Sequence, residues 1–182
     1  MFNGYDFIDE LAEAAWGCDG HYPSSFSYGY INYEESINIF DFKIKYVNLF
    51  KPRAYLEGQE EKYSCMILIP KSDLATKKYI DRTIKECIEK AKNSFKFRST
   101  DSIKKPIYDG DGLKPNGKPF PDDCKGHWVF TVYNKKNKKP KIPCEMKEKI
   151  KEGATVKRAL FTFYPYKHGD KCGIAVSLHS IY

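Results

Sequence analysis

The chain lacks any apolar run approaching the ~20 residues needed to cross a bilayer, and its first 36 residues contain no Lys or Arg at all. The opening stretch MFNGYDFIDELAEAAW is acidic where a secretory leader would be basic, so the expected location is the cytoplasm. No Gly-rich phosphate loop and no nucleophile elbow occurs anywhere, which removes the commonest signatures of nucleotide hydrolysis and acyl transfer. Closely paired cysteines are absent too. The six, at positions 18, 65, 87, 124, 144 and 172, are scattered, and several fall inside apolar patterns where a free thiol behaves as a small hydrophobe. A disulfide framework is not expected, in keeping with a reducing compartment.

What is present is charge, unevenly spread. Residues 1–36 hold seven acidic residues (Asp6, Asp9, Glu10, Glu13, Asp19, Glu34, Glu35), while all 31 basic residues fall after them against the other 17 of the 24 acidic ones, leaving +14 on the body. With 41% hydrophobic and 30% charged residues over 182 positions, the composition is that of one globular domain with an appended segment. We divide the chain into an acidic extension, 1–36, and a basic domain, 37–182. A basic body of this kind asks for a polyanionic partner, because neutralised phosphates release their counterions.

Hydrophobic periodicity gives the elements. Ile8, Leu11, Ala12, Ala15 and Trp16 fall at helical spacing within Tyr5–Trp16, and the Gly-, Ser- and Tyr-rich stretch that follows reads as a linker. From Ile39 to Phe50, Phe40, Phe42, Ile44 and Tyr46 alternate with Asp41, Lys43 and Lys45, the period-2 pattern of a half-buried strand. Residues 62–69 (KYSCMILI) are apolar throughout, as a strand covered on both faces would be, and Pro70 ends it. Ser72 is placed to cap a helix whose apolar positions are Leu74, Ile80, Ile84, Cys87, Ile88 and Ala91, running to about Asn93. Residues 104–124 carry Asp109-Gly-Asp-Gly and four prolines and read as a long loop without structure. Three further β-branched and aromatic runs, 126–133, 155–166 and 171–181, complete five strands. In the last, Cys172, Ile174, Val176 and Leu178 face one way, and Gly173, Ala175, Ser177 and His179 leave the other face nearly bare, which suits either close approach of a ligand or packing beneath a helix. The expected fold is mostly β (α+β): an OB-like, five-stranded, partly open barrel with one interposed helix.

Two features carry chemistry. Between the third and fourth of the recognised runs that follow the first strand lies NKKNKKPKIP, in which Lys135, Lys136, Lys138, Lys139 and Lys141 crowd a turn-forming segment. A charge run is ordinarily a solvated hairpin tip, but this density of like charge is self-repelling and favours phosphate contact. The 28 aromatic residues (14 Tyr, 12 Phe, 2 Trp) include several beside basic ones: Tyr46 after Lys45, Tyr55 near Arg53, Tyr63 after Lys62, and Phe163, Tyr164 and Tyr166 before Lys167. Sequence-tolerant binding of single strands needs such interleaving, since every base has a π-face; most of the rings nonetheless belong to the core, and tyrosines suit stacking better because their hydroxyl tolerates water. Cys18-x-x-His21 and Cys124-x-x-His127 show a spacing that zinc uses, but they lie far apart in the chain and lack local partners, so no metal is expected. Asp109, Asp111, Asp122 and Asp123 would suit a Mg²⁺-dependent nuclease, yet they sit in turns where Asp serves local hydrogen bonds. No cofactor and no catalysis are expected.

Three stretches, Phe50–Asp73 (FKPRAYLEGQEEKYSCMILIPKSD), Tyr108–Ile142 (YDGDG followed by GHWVFTVYNKKNKKPKI) and Glu152–Ile181 (EGATVKRALFTFYPYKHGDKCGIAVSLHSI), match in order and spacing a family of phage and prophage proteins. From about Ile44 onward the chain resembles this family, which is related to phage single-stranded-DNA-binding proteins with an OB fold. The resemblance implies non-enzymatic coating of exposed strands in replication or recombination, and it points to Lys62, Tyr63, Lys71, His127, Trp128, Arg158, Tyr164, Tyr166 and Lys167. With the residues read directly, the expected DNA-binding set is Lys43, Lys45, Arg53, Lys62, Tyr63, Lys71, Trp128, Lys135, Lys136, Lys138, Lys139, Arg158, Tyr164, Tyr166 and Lys167, in a protein that pairs as a homodimer. A phage interaction protein that binds a host protein, with the acidic segment as a DNA mimic, is the competing reading; a nuclease is the third.

Proteins of this kind often end in an acidic tail that recruits partners and competes with DNA, whereas this sequence closes on SLHSIY and carries its acidity at the front. The acidic extension is expected to take over that work, by docking on the basic face or by offering Phe7, Leu11 and Trp16 to a replication protein. Removing residues 1–36 should then tighten DNA binding at low salt in a fluorescence-anisotropy titration; unchanged affinity rules the docking out.

Overall fold

The computed structural model describes residues 35–54, 57–95, 103–135, 137–168 and 171–182. The expected N-terminal helix, and Cys18, His21, Tyr55 and Lys136 with it, lie outside the described residues. Among the described residues six strands, β1 (Glu35–Arg53), β2 (Lys62–Pro70), β3 (Ile107–Asp109), β4 (His127–Lys135), β5 (Thr155–His168) and β6 (Lys171–Ile181), accompany one α-helix, α1 (Leu74–Phe95). They form one sheet in the order β3-β4-β2-β1-β5-β6, antiparallel at every pairing and curled into a half-barrel. The sixth strand is β3, three residues within the stretch read as a structureless loop. That stretch folds because Phe120 and Cys124 pack with Met66, Leu68, Val129 and Tyr133 in an apolar cluster of their own, covering the outer face of β2 and β4.

β2 is therefore buried on both faces, from Tyr63 through Ile69, as its unbroken apolar run requires. Its inward residues Cys65, Ile67 and Ile69 join the main core, to which β1, β5 and β6 add Phe42, Ile44, Phe161, Phe163, Ile174 and Val176, and α1 adds Ile80, Ile84, Cys87 and Ile88. Edge-on contacts tie the rings together, Phe42 to Phe161 at 5.5 Å and Phe130 to Phe161 at 5.7 Å; each buried ring contributes roughly 1.5–3 kcal/mol. Two details of α1 differ from expectation. Its cap is Asp73, whose carboxylate accepts the Thr76 N–H at 3.0 Å, rather than Ser72. Leu74 is 60% exposed, because the first turn projects beyond the sheet it would have to cover.

β1 departs from simple alternation. Ile37 and Ile39 are buried, then Phe42 and Ile44, then Leu49, so the inward phase slips twice. Each slip has a backbone cause: Asp41 and Tyr46 have positive φ, 48° and 50°, and the pairing with β2 gains an extra residue between Lys45 and Asn48, a bulge that bends the strand. Phe40, expected on the apolar face, is consequently turned outward and 52% exposed. β6 keeps its predicted phase, with Cys172, Ile174, Val176 and Leu178 all buried. Its bare face is partly covered by protein: a Cβ on Gly173 would lie 2.7 Å from the Tyr166 hydroxyl and 2.8 Å from the Lys104 carbonyl.

The curl brings β4 up to β6, but the two strands do not pair. A side chain bridges the seam: Asn134 donates to the Leu178 carbonyl at 2.6 Å and accepts the Leu178 N–H at 2.9 Å, imitating a neighbouring strand. Its second amide proton reaches the Lys138 carbonyl at 2.9 Å. Above and below, Lys104 and Lys141 form short parallel bridges to Gly173 and Ser180. Because each buried polar group left unpaired costs ~1–3 kcal/mol, Asn134→Ala, which strands both groups of Leu178, should cost about 2–4 kcal/mol in urea unfolding. An unchanged midpoint would mean that the bridges alone hold the seam.

Candidate nucleic-acid interface

Closing the seam sets the outer faces of β4, β5 and β6 side by side, and a groove runs across them. Its main part, about 500 Å³, is lined by Tyr133, Thr162, Tyr164, Ser177, His179 and the lysines 138, 139 and 141. Lys139, Lys141 and His179 also belong to an adjoining hollow of about 590 Å³ that reaches Phe50, Lys147 and Tyr182. On the other side of Tyr133 lies a slot of about 40 Å³ bordered by Lys104, Lys105, Tyr108 and Tyr166. Among the described residues no Asp or Glu lines any of the three.

The lysine run owes its position to the chain around it. Lys141 donates its N–H to the His179 carbonyl and accepts from Ile181, both at 2.9 Å, while Asn134 holds the Lys138 carbonyl. Pro140 and Pro143, which lack an N–H, keep the intervening backbone from building a ladder of its own. Lys138, Lys139 and Lys141 are thus anchored by their backbone along the edge of β6, with their side chains exposed.

Elsewhere the carboxylates are spent on other lysines. Lys45 pairs with Asp123, Lys77 with Asp81, Lys90 with Glu35, Lys125 with Asp122 at 2.6 Å and Lys157 with Asp41 at 2.8 Å. Among the described residues Lys138, Lys139, Lys141 and Lys147 have no carboxylate within 4.0 Å. Four lysines without internal neutralisation thus border the groove, an arrangement that attracts a polyanion.

The expected residues divide accordingly. Lys138, Lys139 and Tyr164 line the main groove, and Tyr166 borders the slot. Burial pushes the Tyr166 hydroxyl up to about 12, so it stays protonated and can donate. Arg158 lies on the same outer face of β5, its guanidinium 4.6 Å from the Tyr182 ring, and Lys167 is exposed near the end of that strand. Register places Arg53, Lys62 and Lys135 at neighbouring backbone positions across β1, β2 and β4. Lys43 is exposed on β1. Tyr63, by contrast, is 8% exposed, so its face is taken up by packing. Trp128 is covered by two ammonium groups, Lys71 at 5.1 Å and Lys77 at 4.7 Å from its ring. Of the groove residues, the DNA-binding set read from the sequence missed Phe50, Lys104, Lys105, Tyr133, Lys141, Lys147, His179 and Tyr182. Lys141 was visible in the charge run and His179 in the alternation of β6; the others come together only through the curl of the sheet.

The turn aspartates act structurally. Lys71 bridges Asp109 and Asp111, the latter at 2.6 Å, while Asp111 accepts the Gly126 N–H at 3.0 Å and Asp109 that of Asp111 at 2.8 Å. Gly110 between them is packed so closely that a Cβ would meet the Cys124 carbonyl at 1.9 Å. Cys124 is buried with its Sγ 3.8 Å from Met66 Sδ, and burial raises its thiol to about 11. His127 Nδ1 lies 2.8 Å from the Lys125 carbonyl oxygen. No group of three His, Cys, Asp or Glu converges on a cation position among the described residues.

Comparison with known proteins places this geometry in context. The family model described as Enterobacter phage Enc34, ssDNA-binding protein, matches residues 36–182. The chain is similar to the structure of the single-stranded DNA-binding protein from bacteriophage Enc34 in complex with ssDNA, at 26% identity and TM-score 0.63, covering 80% of this chain and 84% of that one. The C-terminal truncation of that protein gives 26% identity and TM-score 0.62 over 80% and 83% of the two chains. Bacteriophage T7 gp2.5, a single-stranded DNA-binding protein, shares the fold at 15% identity and TM-score 0.51, over 81% and 85%. No curated protein sequence matches.

The Lys71 cluster makes a prediction about acid stability. Hydrogen bonding to Lys71 is the main cause that lowers both Asp109 and Asp111 below the ordinary carboxylate range, so their contribution is present above that range and is lost as pH falls through the lowered values. Lys71→Met removes it. The gap in urea midpoint between wild type and Lys71→Met should be open at neutral pH and narrow below pH ~4; a gap equal at both would show that Lys71 acts by packing on Trp128.

Proposed function

The chain belongs to the family of the Enterobacter phage Enc34 single-stranded-DNA-binding protein, and we propose from that membership that it binds and coats single-stranded DNA during phage DNA replication and recombination, without catalysis. The observation that carries the proposal onto this molecule is the groove across β4, β5 and β6, bordered by lysines and tyrosines and, among the described residues, by no carboxylate. Lys138, Lys139 and Lys141 take the phosphates. Their backbone is tied to β6, so holding them in place costs less entropy than ordering a free loop would. Bases turn toward Tyr164, whose face accepts any base. Lys43, exposed on β1, offers a phosphate contact beyond the groove, and Arg53 and Lys62 extend the basic surface from β1 to β2.

Several residues of the expected DNA-binding set take other roles in this reading. Lys45 and Lys71 are ion-paired and half-buried, Tyr63 is packed, and Trp128 is covered by lysines, so they support the sheet from which the groove is made. No described helix is long and apolar enough to cross a membrane. The work proposed belongs to the cytoplasm of the infected cell, where single-stranded DNA is exposed.

The test is anisotropy of labelled oligo-dT across a salt series, with duplex of equal length as competitor. Wild type should prefer the single strand. The triple variant Lys138→Ala, Lys139→Ala, Lys141→Ala should lose about tenfold or more in affinity, with the log–log salt slope reduced by about 0.7 for each phosphate contact removed. An unchanged slope would move the phosphates to Lys43, Arg53 and Lys62; absence of binding by wild type would end the proposal.

A further inference from the structure

Beyond the lysine groove, the outer face of β1 and β5 carries a second group of side chains. Phe40 and Arg158 are register partners across the two strands, so they share a face. The Arg158 guanidinium rests 4.6 Å from the Tyr182 ring, and its Nε donates to Asn38 Oδ1 at 3.0 Å, which fixes the plane of the fork. Tyr182 is tied in turn by its N–H to the Arg158 carbonyl at 3.0 Å. Phe40 and Tyr182 are nevertheless 52% and 51% exposed.

One exposed ring is ordinary on a protein surface. This pair is less so, for three reasons. Plain alternation along β1 would put Phe40 on the same face as Phe42 and Ile44, and only the positive φ of Asp41 turns it outward, against the usual preference of an L residue. Asp41 is in turn paired with Lys157, the residue beside Arg158, so the turn is held from the facing strand. And Tyr182 lines the hollow that contains Lys139, Lys141 and Lys147, so the group continues the groove.

We propose that Phe40, Arg158 and Tyr182 form a stacking platform for an unpaired nucleobase where the strand leaves the lysine groove. The inference rests on the single-strand reading above and extends its path. Arg158 orients the Tyr182 ring through cation–π contact and offers its charge to the adjoining phosphate; Phe40 gives a second π-face. Both rings are held by backbone already in place, so stacking orders little that was free.

The measurement uses the full chain with an oligo-dT series from about 4 to about 16 nucleotides, the span of site sizes for OB folds. Wild-type affinity should rise again once the strand is long enough to pass the lysine groove. The double variant Phe40→Ala, Tyr182→Ala should lose that last rise, about tenfold on the longest oligonucleotide, while binding the shortest normally and keeping its salt slope. Phe40→Trp and Tyr182→Phe should retain the rise, since either keeps a π-face. Wild-type behaviour of the double variant on the longest strand would overturn the platform, as would an equal loss at every length. If the double variant changes sedimentation instead of binding, the rings meet a second copy of the chain and the platform is wrong. Failure here is distinct from failure of the single-strand reading, because wild type would still bind and the lysine triple variant would still be weak at all lengths.

Discussion

The amide of Asn134 spans a gap that the backbone leaves open. A six-stranded sheet curls until β4 faces β6, but no ladder joins them, and the unpaired edge of β6 would be a ready template for another chain. Asn134 satisfies both groups of Leu178 from across the seam, and Lys104 and Lys141 bind the same edge on either side. The groove depends on this arrangement. Paired backbone would have drawn β4 and β6 together and closed it, whereas a side chain holds them near but apart, with Tyr133 and Tyr164 on the two walls.

Charge is sorted with the same economy. Carboxylates accompany the lysines that brace the sheet and its turns, at Lys45, Lys71, Lys125 and Lys157, and none among the described residues lines the groove. Exposed pairs of this kind add little stability singly. Their effect is to neutralise those lysines, while Lys138, Lys139, Lys141 and Lys147 along the groove keep their charge for a polyanion. The aspartates in the 109–123 turns thus hold the covering loop to β2 and β4, and the sequence features that suggested a nuclease are accounted for by local hydrogen bonding.

The elements were legible wherever one physical signal dominated. The unbroken apolar run of β2 announced a strand covered on both faces, although what covers it, Phe120 and Cys124 from a turn-rich segment, could not be seen: the few apolar residues there are scattered among Gly and Pro and carry no period. Alternation gave the phase of β6 but misplaced Phe40, since the slip at Asp41 arises from φ and leaves no mark in an apolar–polar pattern. Helical spacing identified α1 and its buried face, and failed at Leu74 because a first turn can overhang its sheet.

The sequence by itself determined the chemical class of the molecule. A basic body behind an acidic head, lysines crowded between strands and aromatics beside cations are properties of composition and order, and they hold in any fold. With the resemblance across three stretches, they were enough to reach single-strand binding. Which lysines are available and which rings are open was decided by tertiary structure alone. Lys71 and Lys139 look alike in sequence, yet one is committed to two carboxylates and the other borders a groove that no described carboxylate lines; Tyr63 is buried where Tyr164 is partly exposed. The physical reason is that ion pairing and burial depend on partners far along the chain, brought close only when the sheet curls on itself.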